Sequence, residues 1–303
     1  MQSDQADGLR QIAQTMKSRK KGGGAPVSGD GIRVIAITSG KGGVGKSNVV
    51  INLAILLSRM KKRVLVIDAD LGVGNIDVLL GLKPRHSLDH LFTGEAALSE
   101  IIIDGPGGIK LIPAGSGVQE YTHLSATDRI RLLDEFDTLD QQFDIVLIDT
   151  AAGISENVTY FITAAQEVIV VASPEPTSIT DVYALIKLLT TKYGERTFKV
   201  LVNMVKDSKD VLEVFARLCN VTSRFLDVSL DYLGFIVWDD RVIDSVKQQK
   251  AVCELYPKGA ATACFENVAR RIIELGGSGT VKGNLQFFFR QKFMLPEPGG
   301  NRV

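Results

Sequence analysis

One glycine-rich segment limits the fold of this chain more than any other feature of its sequence. It runs Gly40-Lys41-Gly42-Gly43-Val44-Gly45-Lys46-Ser47, directly after the apolar run Val34–Thr38 and before the amphipathic stretch Ser47–Arg59. Glycines lack Cβ atoms, so successive backbone N–H groups can point at phosphate oxygens, and the helix that follows adds its positive end. The spacing therefore predicts a nucleotide phosphate site, with an ordinary glycine-rich turn as the weaker alternative.

Apolar runs and amphipathic stretches alternate along most of the chain. The runs are apolar at nearly every position, which is typical of parallel strands covered on both faces; they are Val34–Thr38, Val64–Ile67, Ile109–Pro113, Ile145–Ile148, Val168–Ala172, Val200–Val205 and Leu233–Val237. The amphipathic stretches are Ser47–Arg59, Thr127–Leu139, Ser178–Tyr193, Lys209–Leu218 and Ala260–Leu275. This alternation predicts the α/β fold class, a doubly wound, mostly parallel sheet with helices on both faces and a ligand site at the carboxyl ends of the strands.

Composition and charge exclude several classes of protein. With 303 residues, 45% of them apolar, the chain can bury the core of one large α/β domain. Lysine plus arginine and aspartate plus glutamate number 35 each, so no overall positive field holds the chain on nucleic acid. An apolar run of membrane-spanning length and a signal peptide are both missing from the sequence, so we expect a protein of the cytoplasm.

Cysteine and histidine do not predict a metal centre. Cys219, Cys253 and Cys264 are odd in number and lack C-x-x-C spacing, so we expect them to be packing residues in a reducing compartment. His86 and His90 can share a helical face, but no third ligand accompanies them, so we interpret both as surface residues.

The sequence predicts three regions. Residues 1–31 combine a short segment of spaced apolar residues with a linker rich in lysine and glycine, which we expect to be flexible. Residues 32–276 form the nucleotide-binding domain, and residues 277–303 contain a glycine-rich hinge and an amphipathic segment.

Lys41 stands inside the loop, where the minimal phosphate-binding motif needs no lysine, and from this point the chain resembles the MinD/ParA class of P-loop ATPases. Ile67-Asp68-Ala69-Asp70 resembles the first switch of that class, and Ile148-Asp149-Thr150-Ala151-Ala152-Gly153 resembles the second. Ala151 departs from the pattern, because MinD proteins usually carry proline there. The resemblance implies a MinD-like P-loop fold, ATP and ADP as ligands, Mg²⁺ as the metal, and ATP hydrolysis as the reaction.

Individual roles follow from the motif and the resemblance. Lys46 neutralises the β- and γ-phosphates and Ser47 contacts Mg²⁺ directly. By resemblance, Asp149 holds the metal through its water shell, Asp68 supports that shell, and Asp70 orients the attacking water. The alternative for Asp68 or Asp70 is a helix cap. The loop residues expected to bind nucleotide are Gly40, Gly42, Gly43, Val44, Gly45, Lys46, Ser47 and Asn48.

The resemblance also implies contacts across a dimer and around the base. Lys41 would reach the nucleotide of a second protomer, so hydrolysis would require an ATP-bound homodimer. Glu175, in Pro174-Glu175-Pro176-Thr177-Ser178, would contact the partner's ribose, although Thr177 or Ser178 can equally cap a helix. The class binds adenine with a polar residue after the sixth strand and a loop after the seventh, which correspond to Asn203 and to Trp238 and Asp239.

The chain resembles the FlhG family, also called FleN, which regulates flagellar number and placement, in its N-terminal segment and in the core segments Asp149–Gly153 and Pro176–Asp181. Asp4-Gln5-Ala6-x-x-Leu9-Arg10 matches the family's N-terminal element, which engages and stimulates the flagellar GTPase FlhF. A frayed terminus with accidental spacing is the alternative. Family members also act on a flagellar master transcriptional regulator and on a component of the flagellar switch complex.

The C-terminal segment Asn284–Met294 concentrates four phenylalanines beside Arg290 and Lys292. Drawn as a helix, it clusters four apolar residues on one side, as in an interfacial helix that binds an anionic membrane surface; they are Leu285, Phe288, Phe289 and Phe293. Two such helices in an ATP-bound dimer bind more strongly than one, so we expect the protein on the inner face of the cell membrane only in that state. The alternative is a helix docked on its own domain.

Three other functions are alternatives to a flagellar ATPase. A DNA-partition ATPase of the ParA type needs a basic stripe, which the neutral charge balance does not favour. A nitrogenase-type reductase needs cysteines near the switch segments, and the three cysteines lie elsewhere. A scaffold that binds ATP with negligible hydrolysis keeps the same motifs and is harder to separate from a slow ATPase.

Overall fold

The computed structural model describes residues 32–115, 124–137, 139 and 143–276. The N-terminal and C-terminal segments discussed above, residues 1–31 and 277–303, therefore lie outside the described residues.

Strands and helices alternate along the described chain, as the sequence predicts. The strands are β1 (Arg33–Thr38), β2 (Val64–Ala69), β3 (Ile103–Asp104), β4 (Lys110–Ile112), β5 (Ile145–Thr150), β6 (Glu167–Ala172), β7 (Thr197–Val205) and β8 (Ser229–Val237). The helices are α1 (Lys46–Arg59), α2 (Ile76–Leu79), α3 (Leu88–Thr93), α4 (Leu98–Ile101), α5 (Ala126–Asp137), α6 (Glu156–Ala164), α7 (Pro176–Tyr193), α8 (Ser208–Phe225), α9 (Asp240–Lys247), α10 (Val252–Leu255) and α11 (Ala260–Leu275), with a 3₁₀ turn at Pro106–Gly108.

The strands form one eight-stranded sheet in the order β3-β4-β2-β5-β1-β6-β7-β8. All neighbouring pairs are parallel except β3 with β4. This arrangement confirms the predicted fold class. β1 lies between β5 and β6, and the chain adds its later strands on the opposite side of β1 from its earlier ones. Such a switch in strand order opens a crevice at the carboxyl ends of the strands.

Two hydrophobic cores lie on the opposite faces of the sheet. Successive strand residues point to opposite faces, so Val34 and Ala36 enter the core under α5, α6, α7 and α8, while Ile35 and Ile37 enter the core under α1 and α11. Burial on both faces explains why these strands are apolar at nearly every position.

Some element boundaries differ from the prediction. The strand predicted over Ile109–Pro113 is confined to Lys110–Ile112. The helix predicted over Thr127–Leu139 ends at Asp137, and the helix predicted over Lys209–Leu218 continues to Phe225. Among the last seven residues of α8, Thr222 is buried and no apolar residue is. A helix without a buried apolar face has no apolar periodicity, so its sequence does not predict it.

A buried ionic network closes the end of the sheet opposite the glycine-rich loop. Glu167, at the start of β6, accepts hydrogen bonds from Arg33 Nε at 2.9 Å and from Arg33 Nη2 at 3.1 Å, and it also pairs with Lys199 of β7. Arg33 Nη1 donates to the Ile272 carbonyl of α11 at 2.8 Å. The network joins three strands to the last helix.

Candidate active site

The glycine-rich loop connects β1 to α1 and is shaped by close contacts. Gly45 has φ of 79°, a left-handed conformation that favours glycine, and a Cβ atom there would lie 2.5 Å from Asn203 Nδ2. A Cβ atom on Gly40 would lie 2.3 Å from the backbone carbonyl carbon of Asp181 in α7. Glycine is therefore required at both positions by the packing of the loop itself. The first N–H groups of α1 have no acceptor within the helix, and they lie where the sequence predicts an anion site.

Lys46 and Asp149 form a buried ion pair at the base of this loop. Lys46 Nζ lies 2.5 Å from Asp149 Oδ1, and the two side chains are 9% and 1% exposed. Burial raises the pKa of Asp149, while the neighbouring Lys46 and a hydrogen bond from the Ser47 side chain oppose that rise. The three residues predicted to hold phosphate and metal therefore meet at one point.

Asp68 lies next to Asp149, because the two residues occupy paired positions in β2 and β5. Its carboxylate accepts hydrogen bonds from the backbone N–H groups of Asp70, Asn75 and Ile76 at 3.0 to 3.2 Å. The last two groups begin α2, so Asp68 does take part in capping a helix, the alternative left open by the sequence. Burial and the charge of Asp149 raise the pKa of Asp68 to about 7, against the effect of these hydrogen bonds and of Lys46.

The site has the composition that a magnesium–nucleotide complex requires. Two buried carboxylates with raised pKa values lie beside one lysine, so a further positive charge would stabilise them. Magnesium sites in nucleotide enzymes use one or two protein oxygens together with phosphate and water. Among the described residues, no group of three or more histidine, cysteine, aspartate or glutamate side chains could hold a metal ion.

Asp70 lies at the rim of the site. It is half-buried, and its Oδ1 accepts a hydrogen bond from the backbone N–H of Val73 at 3.2 Å. Its charge is close enough to Asp149 to raise the pKa of that carboxyl group. This position, near the metal carboxylates yet open to water, fits the water-orienting role predicted for it.

Lys41 points away from Lys46 and towards α7. Its Nζ contacts the Glu175 carboxylate and lies 3.1 Å from Thr177 Oγ1. Neither Thr177 nor Ser178 caps α7, so the capping alternative is wrong for both; Ser178 Oγ instead accepts a hydrogen bond from the Ser173 N–H at 3.0 Å. The sequence predicted functions for Lys41 and Glu175 separately but did not predict that they touch within one chain.

A largely apolar pocket adjoins the loop on the side of β7 and β8. It contains the predicted Asn203, Trp238 and Asp239, and its other lining residues are Gly45, Asn48, Met204, Ile236, Val237, Val242, Ile243 and Phe265. Asn203 lies inside β7, and its Nδ2 donates to the Val44 carbonyl at 2.8 Å. The Asp239 carboxylate begins α9 and accepts from Arg241 and from the Ala261 N–H. The sequence did not predict the apolar lining, because most of it comes from β8, α9 and α11, and no motif links these elements to the loop.

Comparisons with known proteins agree with this geometry. Residues 32–201 match the family model described as AAA domain. Over 268 residues the chain is 43% identical to the antiactivator FleN of Pseudomonas aeruginosa, with 88% of this chain and 96% of FleN covered. The flagellum site-determining protein YlxH of Helicobacter pylori is 34% identical over 86% of this chain and 89% of its own length. The chain belongs to the FlhG/FleN family, within the MinD/ParA class of P-loop ATPases.

Solved structures show the fold. The septum site-determining protein MinD of Pyrococcus horikoshii, complexed with Mg-ADP, superposes with a TM-score of 0.67 at 24% identity, covering 81% of this chain and 97% of that one. MinD in the MinC:MinD complex of Aquifex aeolicus gives a TM-score of 0.67 at 25% identity, with 82% and 98% covered. This FlhG/FleN-family chain is accordingly an ATPase with the MinD fold. No helix among the described residues is both long and apolar enough to cross a membrane.

Proposed function

We propose that this FlhG/FleN-family ATPase is an ATP-dependent dimerisation switch that regulates flagellar number and placement. The relation to FleN, 43% identity over 88% of the chain, is the observation that carries the flagellar part of the proposal. The placement of Lys41 supports the switch, because this lysine lies in the phosphate loop but is turned away from Lys46.

Hydrolysis in this site needs positioning and charge more than covalent chemistry. Lys46 leaves Asp149 for the phosphates and neutralises their charge, and the N–H groups at the start of α1 hold the phosphate oxygens. Ser47, Asp68 and Asp149 would hold Mg²⁺, which supplies positive charge beside the phosphates when it is bound. Asp70 accepts a hydrogen bond from the attacking water and orients it. Asn203, Trp238 and Asp239 enclose the base.

Lys41 would complete the site of a second protomer. Its contact with Glu175 is exposed, with side-chain exposures of 29% and 62%, and ion pairs of this kind contribute only about 0 to 1 kcal/mol. Releasing the lysine therefore costs little once a phosphate of the partner is available. A cation delivered across an interface accelerates phosphoryl transfer by about 10³-fold or more where an arginine supplies it. Release of Lys41 would also free Glu175 for the partner's ribose.

Mixing two inactive variants tests this mechanism. Lys41→Ala keeps its own site but lacks the lysine for a partner, and Asp70→Ala keeps the lysine but lacks the residue that orients water. If Lys41 acts across the interface, a 1:1 mixture that pairs at random regains about a quarter of the wild-type turnover per protomer, because about half of the dimers are mixed and each mixed dimer contains one complete site out of two. A mixture as inactive as its components would contradict the mechanism. Turnover equal to wild type in Lys41→Ala alone would remove the trans lysine from the mechanism.

The proposed partners act through the two ends of the chain. Residues 4–10 would bind and stimulate the GTPase FlhF, and residues 284–294 would hold the ATP-bound dimer on an anionic membrane surface at the inner face of the cell membrane. A flagellar master transcriptional regulator and a switch-complex component are further proposed partners. Flotation with anionic liposomes tests the membrane contact: full-length protein should float with ATP and not with ADP, and a 1–280 truncation should not float. Equal flotation of the full-length and the truncated protein would contradict the membrane contact.

Flagellar counts test the biological role. Deleting the gene in its source bacterium should change the number of flagella per cell, and the wild-type gene should restore it. The Asp70→Ala variant, which we expect to remain in the ATP-bound state, should not restore the normal count. An unchanged count after deletion would contradict the proposed role.

A further inference from the structure

Gln249 has an unusual backbone conformation and a long-range contact. Its φ is 52°, one of three positive φ values among the described residues other than glycine, the others being at Lys61 and Met204. Side chains are disfavoured in this left-handed region, so the conformation requires support from its surroundings. The side-chain Nε2 of Gln249 donates to the carbonyl of Val78, 171 residues earlier, at 2.8 Å.

The carbonyl that Gln249 binds belongs to α2, the helix that supports Asp68. Val78 lies in the last turn of α2, and the N–H groups of Asn75 and Ile76 at the other end of this helix donate to Asp68 Oδ2 at 3.0 and 3.1 Å. The helix is only four residues long and begins six residues after Asp70, the last residue of the first switch segment. A shift of α2 would therefore move the two N–H groups that hold Asp68 in place.

Hydrogen bonds hold the segment that carries Gln249 in place. Gln249 follows the end of α9, where its N–H donates to the Val246 carbonyl and the next N–H, of Lys250, donates to the Ser245 carbonyl. Beyond it, the buried Cys253 N–H donates to Asn52 Oδ1 of α1 at 3.0 Å. Gly81, just after α2, packs on Gln249, since a Cβ atom at Gly81 would lie 3.4 Å from the Gln249 Cβ. One side of the contact is thus anchored to α1, and the other is the short helix α2.

We propose that Gln249 is a positioning residue for the metal side of the ATPase site: its hydrogen bond to the Val78 carbonyl fixes α2 and thereby the orientation of Asp68. The inference rests on the proposed metal role of Asp68 and does not depend on dimerisation or on the flagellar role. One hydrogen bond of this kind changes an equilibrium by a factor of about 2 to 10. We therefore expect a change of that size in the Mg²⁺ concentration needed for tight nucleotide binding.

Three substitutions at Gln249 separate the hydrogen bond from other effects, because all three keep a side chain at the same positive φ. Gln249→Ala removes the donor, Gln249→Glu keeps the shape but replaces the donor with a carboxylate, and Gln249→Lys keeps a donor. Lysine is accepted at positive φ elsewhere in this chain, at Lys61. Gln248 is the matched control, because it is exposed and makes no side-chain hydrogen bond among the described residues.

The measurement is the affinity of full-length protein for fluorescent ADP, titrated with Mg²⁺, together with the affinity without Mg²⁺ and the thermal midpoint. The proposal predicts that Gln249→Ala and Gln249→Glu raise the half-saturating Mg²⁺ concentration about 2- to 10-fold, while Gln249→Lys and Gln248→Ala stay near wild type. Affinity for ADP without Mg²⁺ should not change. ADP is used so that failure to form an ATP-dependent dimer cannot affect the result.

Three results would overturn the proposal. The first is an unchanged Mg²⁺ requirement in Gln249→Ala and Gln249→Glu. The second is an equal loss of ADP affinity with and without Mg²⁺, which would indicate a general structural role. The third is a shift in Gln249→Lys or Gln248→Ala as large as that in Gln249→Ala, because the donor would then not be the cause.

Discussion

Replacing Glu167 with glutamine should lower the free energy of unfolding while leaving the nucleotide site intact. Glu167 is 3% exposed and is the shared carboxylate for Arg33 and Lys199, each of which is 15% exposed. The amide keeps the shape but removes the charge, so two largely buried cations lose their counter-ion. Breaking a buried ion pair from one side costs about 3 to 5 kcal/mol of the free energy of unfolding. The site lies at the opposite end of the sheet, so affinity for ADP in the folded protein should not change.

Glu167 should also make the stability of the protein depend on pH. Burial alone would raise the pKa of Glu167, but the hydrogen bonds and charges of Arg33 and Lys199 outweigh it and hold the pKa below its usual value. A carboxyl group with a lowered folded-state pKa stabilises the protein above its unfolded-state pKa of about 4.3 and loses that contribution as pH falls through the folded-state value. The difference between wild type and Glu167→Gln should therefore be largest near neutral pH and shrink below about pH 4.

Urea denaturation followed by circular dichroism measures the difference, at pH 7 and again in steps towards pH 3.5. A control that replaces the whole network, Arg33→Met with Glu167→Leu and Lys199→Met, should recover at least half of the lost stability, because no unpaired buried charge remains. A loss below about 1 kcal/mol at neutral pH, or a loss that does not shrink with acid, would refute the reasoning.

Three further predictions concern the site. Gly40→Ala places a Cβ atom 2.3 Å from the backbone of Asp181, so the thermal midpoint and the ADP affinity should both fall. Gly42→Ala is the control: nothing lies within 4 Å of its Cβ position, so its thermal midpoint should not change. Asn203→Ala removes a hydrogen bond to the loop and should weaken ADP binding about 3- to 10-fold by calorimetry. Ile154 is 54% exposed beside the second switch, so Ile154→Asp should abolish an ATP-dependent dimer in light scattering but keep ADP affinity; an unchanged dimer would contradict this.

Much of the fold could be predicted from the sequence because the strands are buried on both faces. A strand in that position is apolar at nearly every residue, and the pattern is visible without knowledge of its neighbours. The pattern fails where burial is incomplete or brief: β3 contains two residues, one of them exposed, and the end of α8 carries few buried apolar residues. Those elements depend on the surroundings that the rest of the fold creates.

The site could be predicted in its parts but not in its contacts. The loop, Asp68 and Asp149 stand out as motifs, yet their meeting depends on β1, β2 and β5 being neighbours, and apolar runs do not encode strand order. Lys41 and Glu175 lie 134 residues apart and meet because β6 is the other neighbour of β1. Gln249 carries no motif at all, and the sequence indicates neither its positive φ nor its contact with Val78, 171 residues away.

The mass of the protein in solution tests the switch most directly. Light scattering on full-length wild type and Asp70→Ala, each with Mg²⁺ and either ADP or ATP, reports the oligomeric state. The account predicts monomers with ADP, dimers with ATP, and a dimer that outlasts the wild-type one in Asp70→Ala because its ATP is not hydrolysed. Monomers under all four conditions would contradict the switch and leave Lys41 without a partner site to complete.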